Sequence, residues 1–340
     1  MLATSIIGSL LFFLTVILTR ALIQASDRMG MIDSPNNRSS HSTPTPKGGG
    51  LGFSIIFLIY ALAMVFWRPD LSHLFYPLLF GAPAVLLLGW LDDRFTLSAR
   101  FRLAVHFLVA IFVYFLVTDG FKDPMNISFL PDSIWVSGIF CVLFISWFIN
   151  LYNFMDGADG IAASTAVAGS VLLAVISFFH GSGPIAGIYC VIGYTVSGFL
   201  VYNWQPAKIF MGDTGSYFLG FVFATMALIC KAHADISFYS SIVIFGFFIF
   251  DTTYVLFRRA LRMEKLFQAH QMFIFHKLMR TKNWSHQKVS VLYTSVMVVW
   301  LFPLANLASI YDDYGMLVVV VAYAPLLGLA IWTKAGEEPT

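Results

Sequence analysis

The chain has 340 residues, of which 59% are hydrophobic and only 11% charged, with a formal net charge of +2 and a mean hydropathy of +0.80. Soluble globular domains carry roughly 25% charged residues, so this composition excludes one and specifies a polytopic membrane protein. Nothing in it resembles a nucleic-acid surface, and the three cysteines, Cys141, Cys190 and Cys230, sit inside apolar runs without CxxC spacing, which argues against a disulfide framework or a zinc site.

Runs long enough to cross a bilayer, about 17 to 25 apolar residues each, occur at Leu2 to Ile23, Gly50 to Trp67, Leu74 to Leu91, Phe101 to Thr118, Ile134 to Asn153, Ala158 to Phe179, Pro184 to Asn203, Gly215 to Cys230, Ser237 to Phe257, Val289 to Ala308 and Tyr314 to Thr333. They predict an all-α integral membrane bundle of about 11 transmembrane helices, with residues 1–340 as a single domain. No cationic segment precedes the first run and Arg20 follows it, so it reads as a retained anchor rather than a cleaved signal. If that run ends in the cytoplasm, 17 of the 20 Lys and Arg residues fall on the cytoplasmic side. Such a bias predicts the N-terminus outside and the C-terminus inside.

With that orientation every polar cluster is cytoplasmic. The first loop, R-S-S-H-S-T-P-T-P-K-G-G-G from Arg38 to Gly50, places Arg38, His41 and Lys47 beside glycines that free backbone N–H groups at a helix entrance. That combination suits an anionic group such as phosphate; alternatively the Pro and Gly only punctuate a loop. Asp92 and Asp93 stand side by side after the third run, followed by Arg94. Adjacent carboxylates repel unless water or a cation intervenes, and magnesium prefers carboxylate oxygens and phosphates; a solvated loop start is the plainer reading.

The stretch N-L-Y-N-F-M-D-G-A-D-G from Asn150 to Gly160 places Asn150, Asn153, Asp156 and Asp159 three apart. Residues at that spacing are neighbours on a helix, but each step falls about 60° short of a turn, so the row stays together only if the helix breaks, and Gly157 and Gly160 permit that. Simple capping by these amides and acids is the alternative. After the seventh run, N-W-Q-P-A-K-I-F-M-G-D-T-G-S from Asn203 to Ser216 adds Asp213, which caps a helix, ligates a divalent metal, or does both. The last loop carries His270 and His276, six apart and therefore on different faces of a helix. His270 reads as a phosphate donor or acid/base group, or the segment lies as an amphipathic helix on anionic lipid. Two ionisable residues, His106 and Asp251, fall within apolar runs; Asp251 is a functional-site candidate by position, whereas His106 reads as satisfied by a neighbouring helix.

The segments H41-S-T-P-T-P-K-G-G-G, D92-D-R-F, N150-L-Y-N-F-M-D-G-A-D-G, F210-M-G-D-T-G-S and A269-H-Q-M-F-I-F-H together resemble the polyprenyl-phosphate N-acetylhexosamine-1-phosphate transferases, in matching order over nearly the whole chain. The D-D-R-F and TPTPKGGG wording is closer to bacterial enzymes that start O-antigen or similar surface glycans than to the phospho-N-acetylmuramoyl-pentapeptide translocase. The resemblance implies a multi-pass enzyme of the inner (plasma) membrane whose site faces the cytoplasm. It implies transfer of a sugar phosphate from a UDP-N-acetylhexosamine to undecaprenyl or another polyprenyl phosphate, with Mg2+ or Mn2+ and release of UMP. By motif, Asp213 is similar to the metal ligand, Asp92 and Asp93 to the pair that positions or deprotonates the lipid phosphate, and Asp156 to an essential central acid supported by Asn153. Asp159, Asn203 and Phe210 are similar to uracil-holding positions, and Arg38, His41 and Lys47 would lie near substrate phosphates. Relatives often read H-x-x-H-x-Y in the last loop, where this chain has His270, Phe273 and Phe275; His276 substitutes by another route or the site relies on His270. A homodimer is left open. A secondary transporter of nucleotide sugar or lipid-linked saccharide is the rival class; it would place its charges near the midplane of repeated halves, a pattern this sequence lacks.

Overall fold

A computed structural model describes residues 2–35, 43–121, 125, 127–264 and 271–337. Arg38, His41 and His270 therefore lie outside the described residues. The chain is a helical bundle in which α1 (Leu2–Met29) is followed by a two-residue hairpin, β1 (Ile32–Asp33) with β2 (Thr45–Pro46). These pair antiparallel, Ile32 opposite Pro46 and Asp33 opposite Thr45. Then come α2 (Gly50–Trp67), α3 (Ser72–Phe95), α4 (Ala99–Val117), α5 (Ile134–Met155), α6 (Ile161–Phe179), α7 (Gly183–Asn203) and α8 (Gly212–Ala234). The remainder is α9 (Phe238–Ile244), α10 (Gly246–Leu261), α11 (Ile274–Thr281), α12 (His286–Val296), α13 (Phe302–Ile310) and α14 (Gly315–Thr333).

Among the described residues, ten helical stretches have the length and apolarity to cross a bilayer, and the bent pair α9 and α10 brings the number to eleven. The fold class and the multi-pass character follow from these. The ninth run, expected as one helix from Ser237 to Phe257, is instead broken by a 75° bend between α9 and α10. The residues at the break, Ile244 to Gly246, are all apolar, so hydropathy carries no mark of it; the cause is tertiary. Gly246 sits at the corner against the ring of Tyr323, which a β-carbon there would meet at 2.6 Å. The tenth run also departs from a plain helix, because a π-helical segment, Met297–Leu301, joins α12 to α13. Pro303, just beyond it, supplies no backbone N–H, and the ladder resets over a wider turn.

α8 is the axis of the bundle, its side chains buried almost without interruption from Thr214 to Cys230, with α3 and α5 packed along its length. A helix apolar all round is expected at such a position. Because successive spans alternate in direction, the C-terminal ends of α3, α5 and α7 and the N-terminal ends of α2, α6, α8 and α12 gather at one end. The described parts of the polar clusters are at that end.

α11 does not turn its apolar face outward. Ile274, Phe275 and Leu278 are fully buried, so its apolar face is turned into the protein. Asp251 explains how it is fixed: both carboxylate oxygens accept from the N–H of Ile274, at 2.8 and 3.0 Å, and one accepts from the Tyr293 hydroxyl at 2.8 Å. The intramembrane acid thus ties α10 to the start of α11 and to α12 and does not enter the candidate site. His106 is held by a neighbour, as expected: Asn150 Nδ2 is 3.2 Å from its Nδ1, and its ring packs edge-on against Tyr217.

Candidate active site

The site is a polar-lined cavity of about 410 Å³. Nine of the candidate side chains singled out in the sequence line it: Lys47, Asp93, Asn153, Asp156, Asp159, Asn203, Phe210, Asp213 and, from the last loop, His276. The chain reaches it from four directions, and each approach has a local cause.

The helix break expected between Asp156 and Gly160 is present. α5 ends at Met155, Asp156 occupies the C-cap, and Gly160 enters α6 at φ 74°, a left-handed conformation that costs glycine little. Asn153, Asp156 and Asp159 thereby face the cavity together. Asn150 does not; its Nδ2 donates to Ser146 O at 2.7 Å and points toward His106. The drift of the three-residue row separates Asn150 from the others, and the break keeps the rest.

The first loop and the segment before α8 are laced by their main chains. Phe210 N donates to Pro46 O at 2.8 Å, Gly49 N to Phe210 O at 2.9 Å, and Gly50 N to Met211 O at 3.0 Å. This lacing carries Lys47 over the cavity, where its Nζ is 3.9 Å from Asp93 Oδ1, and turns the half-buried Phe210 ring to the same space.

The two adjacent aspartates are separated by function of place. Successive helical side chains diverge by about 100°, and here that sends them to different partners. Asp93 caps α8: Oδ1 accepts from Asp213 N at 3.0 Å, and Oδ2 accepts from Thr214 N at 3.0 Å and Thr214 Oγ1 at 2.6 Å. A carboxylate at a helix N-terminus is favoured by the unsatisfied N–H groups and the helix dipole. Asp92 is outside the cavity wall. Its Oδ2 pairs with Arg102 at 2.6 Å and accepts from Tyr217 at 2.8 Å, while Oδ1 accepts from Leu97 N at 2.6 Å. It approaches Asp213 from behind. Thr214 was expected as a cap beside Asp213, whereas Arg102, on α4, and Tyr217, one turn after Asp213 on α8, were not singled out by sequence.

Asp213 itself is deeply placed, with Oδ1 accepting from Asn153 Nδ2 at 2.6 Å and Asn153 also donating to Ser216 at 2.9 Å. Asp156 is surrounded so closely that burial, with the charges of Asp93 and Asp159 added, pushes its carboxyl up to about 7. Asn203 braces the far wall, its Nδ2 donating to Ile209 O and its Oδ1 accepting from Gly160 N. Asp159 Oδ2 accepts from Ala207 N at 3.1 Å.

Residues brought in by tertiary structure complete the lining. Asp33 arrives through the hairpin opposite Thr45, and His276 through α11. His276 lies against Phe275, with ring centres 3.9 Å apart, and Phe275 in turn fills the space beside Gly157. Phe273 and Phe275 are buried, so of the three positions compared with H-x-x-H-x-Y, two are packing residues.

Among the described residues, no three Asp, Glu, His or Cys side chains are gathered so as to hold a metal by themselves. The donor set nonetheless fits a hard cation. Asp93, Asp156, Asp159 and Asp213 share one cavity in which Lys47 is the neighbouring lysine, and magnesium is usually bound by one or two carboxylates, waters and substrate phosphates rather than by a complete protein cage. Asp213, the metal ligand expected from its motif, lines this cavity with its carboxylate oriented by Asn153.

The chain was compared with known proteins. The family model described as Glycosyl transferase family 4 matches residues 75–231, from α3 through most of α8. A Bacillus subtilis (strain 168) protein named "Probable undecaprenyl-phosphate N-acetylglucosaminyl 1-phosphate transferase" is 32% identical over 295 residues, covering 85% of this chain and 81% of that protein. A phospho-N-acetylmuramoyl-pentapeptide-transferase of Staphylococcus haemolyticus (strain JCSC1435) is 30% identical over 316 residues, covering 86% of this chain and 96% of the relative. Identity of this extent, over most of both chains, means that the chain belongs to glycosyl transferase family 4, the polyprenyl-phosphate sugar-1-phosphate transferases.

Proposed function

We propose that the protein transfers N-acetylhexosamine 1-phosphate from a UDP-sugar to undecaprenyl phosphate at the cytoplasmic side of the inner membrane, releasing UMP and starting a lipid-linked surface glycan such as O-antigen. The observation that carries this reading is the convergence of Asp93, Asp156, Asp159, Asp213 and Lys47 on one cavity at one end of a membrane bundle. A water-borne diphosphate and a lipid-borne monophosphate can meet there. Charges collected at one end support an enzyme over a secondary transporter, whose sites lie near the midplane.

Both substrates are anions, so the barrier is largely repulsion and positioning. In the proposed step an oxygen of the lipid phosphate attacks the β-phosphorus of the UDP-sugar in line. The bond between the β-phosphorus and the bridging oxygen breaks, and UMP leaves with the electron pair. Lys47 neutralises phosphate charge at the rim, and Asp93 keeps the α8 terminus and Lys47 in register. Phe210 offers a face for the uracil ring, with Asp159 and Asn203 on its polar edge. Asp156 stands where it can take a proton, and Asp92, with Arg102 and Tyr217, supports Asp213 from outside the cavity. A magnesium or manganese ion on Asp213 would supply the positive charge that two phosphates require to approach.

The test is UMP release by purified Asp213→Asn across a magnesium titration, with a panel of UDP-N-acetylhexosamines and undecaprenyl phosphate and the lipid product weighed by mass spectrometry. The expected result is a lipid-diphosphate sugar from the wild type and a steep loss in the variant. Undiminished turnover of the variant at low magnesium would remove the metal assignment, and no lipid product from any sugar would remove the reaction.

A further inference from the structure

The reading of Asp159 as part of the nucleotide's seat leaves open what holds Asp159, and the structure supplies a residue that nothing above assigns. His286, the first residue of α12, is mostly buried, with its Nδ1 3.1 Å from the backbone N of Asp159 and 3.2 Å from Asp159 Oδ1. One turn further along α12, Ser290 donates its hydroxyl to the Asp159 carbonyl at 3.0 Å. On its other side the Asp159 carboxylate accepts from Ala207 N, and Gln205, two residues earlier in the same segment, accepts from Gln287 N at 2.8 Å. Asp159 is thus gripped at its N–H, its carbonyl and its carboxylate by α12 and by the segment that leads to Phe210.

We infer that His286 is a positioning residue for nucleotide binding: it fixes the rotamer and main-chain direction of Asp159 and ties α12 to the 204–210 segment that presents Phe210. The inference rests on the proposed function. The chemistry explains why an imidazole serves. Asp159 sits in the broken stretch between α5 and α6, where its N–H is given to the His286 ring, and a buried N–H needs such an acceptor. A neutral imidazole nitrogen accepts that N–H without adding a negative charge beside the Asp159 carboxylate, which an acidic side chain would do. Protonated, the same nitrogen would donate to Oδ1 instead. In either form the ring holds Asp159, not the reacting phosphates, so its loss belongs in substrate affinity and not in the chemical step.

The experiment is steady-state kinetics of wild type, His286→Ala, His286→Asn and Ser290→Ala in detergent, with both substrates varied, plus calorimetric binding of UMP to each. His286→Ala is expected to raise KM for the UDP-sugar and weaken UMP binding by about tenfold, with kcat and the KM for undecaprenyl phosphate within about twofold of wild type. His286→Asn, whose amide oxygen can accept the Asp159 N–H, recovers most of that loss, and Ser290→Ala shows a smaller effect of the same kind. A drop confined to kcat, or equal losses toward both substrates, or no rescue by Asn overturns the inference. If His286→Ala does not fold, the Asn and Ser290 variants still decide it: unchanged UMP affinity in both would refute the positioning role. Failure of the wild type to release UMP from any UDP-sugar would instead refute the underlying function.

Discussion

Thr214 gives both its backbone N–H and its hydroxyl to a single oxygen of Asp93, while the other oxygen takes the N–H of Asp213. One carboxylate from α3 therefore fixes the first turn of α8, on which Asp213 is carried. Hydrogen bonds to charged groups contribute roughly 1.5–3 kcal/mol each. Thr214→Val, which removes only the hydroxyl, is expected to lower stability by about that amount for one such bond, and Asp93→Ala by more because three donors lose their acceptor. Thermal unfolding in detergent measures both, and UMP release should fall further in Asp93→Ala than in Thr214→Val.

A pH dependence follows from Asp156. Burial and the charges of Asp93 and Asp159 raise its carboxyl from an ordinary 3.8 to about 7, so between those values the folded protein keeps a proton that the unfolded chain has released. Stability without ligand is therefore expected to fall as pH rises through that window and to level off above about 7. Asp156→Asn removes this contribution. Melting curves of wild type and variant in chelator should converge near pH 4 and separate as pH rises, the variant being the more stable; parallel curves would contradict the assignment.

Gly50 and Gly215 bring α2 and α8 into backbone contact, and a β-carbon on Gly215 would stand 2.7 Å from Gly50 Cα and 3.1 Å from Phe53. Gly215→Ala is expected to cost about 1–3 kcal/mol through overpacking and to displace the neighbouring lacing that carries Lys47. Unfolding midpoints give the first effect; the KM for UDP-sugar, raised in the variant, reports the second.

Tyr293→Phe isolates one arm of the Asp251 cluster. The ring stack on Phe247, with centres 3.6 Å apart, is retained, while the hydroxyl to Asp251 Oδ2 is lost. The expected loss is about 1–3 kcal/mol. Asp251→Leu should cost more, because the Ile274 N–H is then buried without an acceptor and α11 loses its anchor to α10; chemical unfolding ranks the two.

The spans were legible because a bilayer imposes a length and a hydropathy that a single residue window reports. The break at Asp156 to Gly160 was legible too, since polar residues at a drifting spacing and two glycines record it locally. The bend between Ile244 and Gly246 was not, for every residue there is apolar and its cause, Tyr323, is far along the chain. The same limit governed the site. Lys47, Asn153, Asp159 and Phe210 carry their chemistry in local wording, and the cavity receives them all. Asp33, Arg102, His286 and Tyr217 occupy unremarkable local contexts, and only packing shows that Asp33 enters the cavity and which acid each of the other three faces. The division of Asp92 from Asp93 lay between these cases: adjacency hid that a helix sends neighbours in different directions.

The lacing of residues 46–50 to residues 210–211 joins main chain to main chain, so the spacing of the two backbones that carry Lys47 and Phe210 is set by peptide geometry. On the proposed roles of Lys47 and Phe210 the pair would work as a gauge for molecules whose flat end and anionic end lie a set length apart, and a shift of either loop would move both jaws at once.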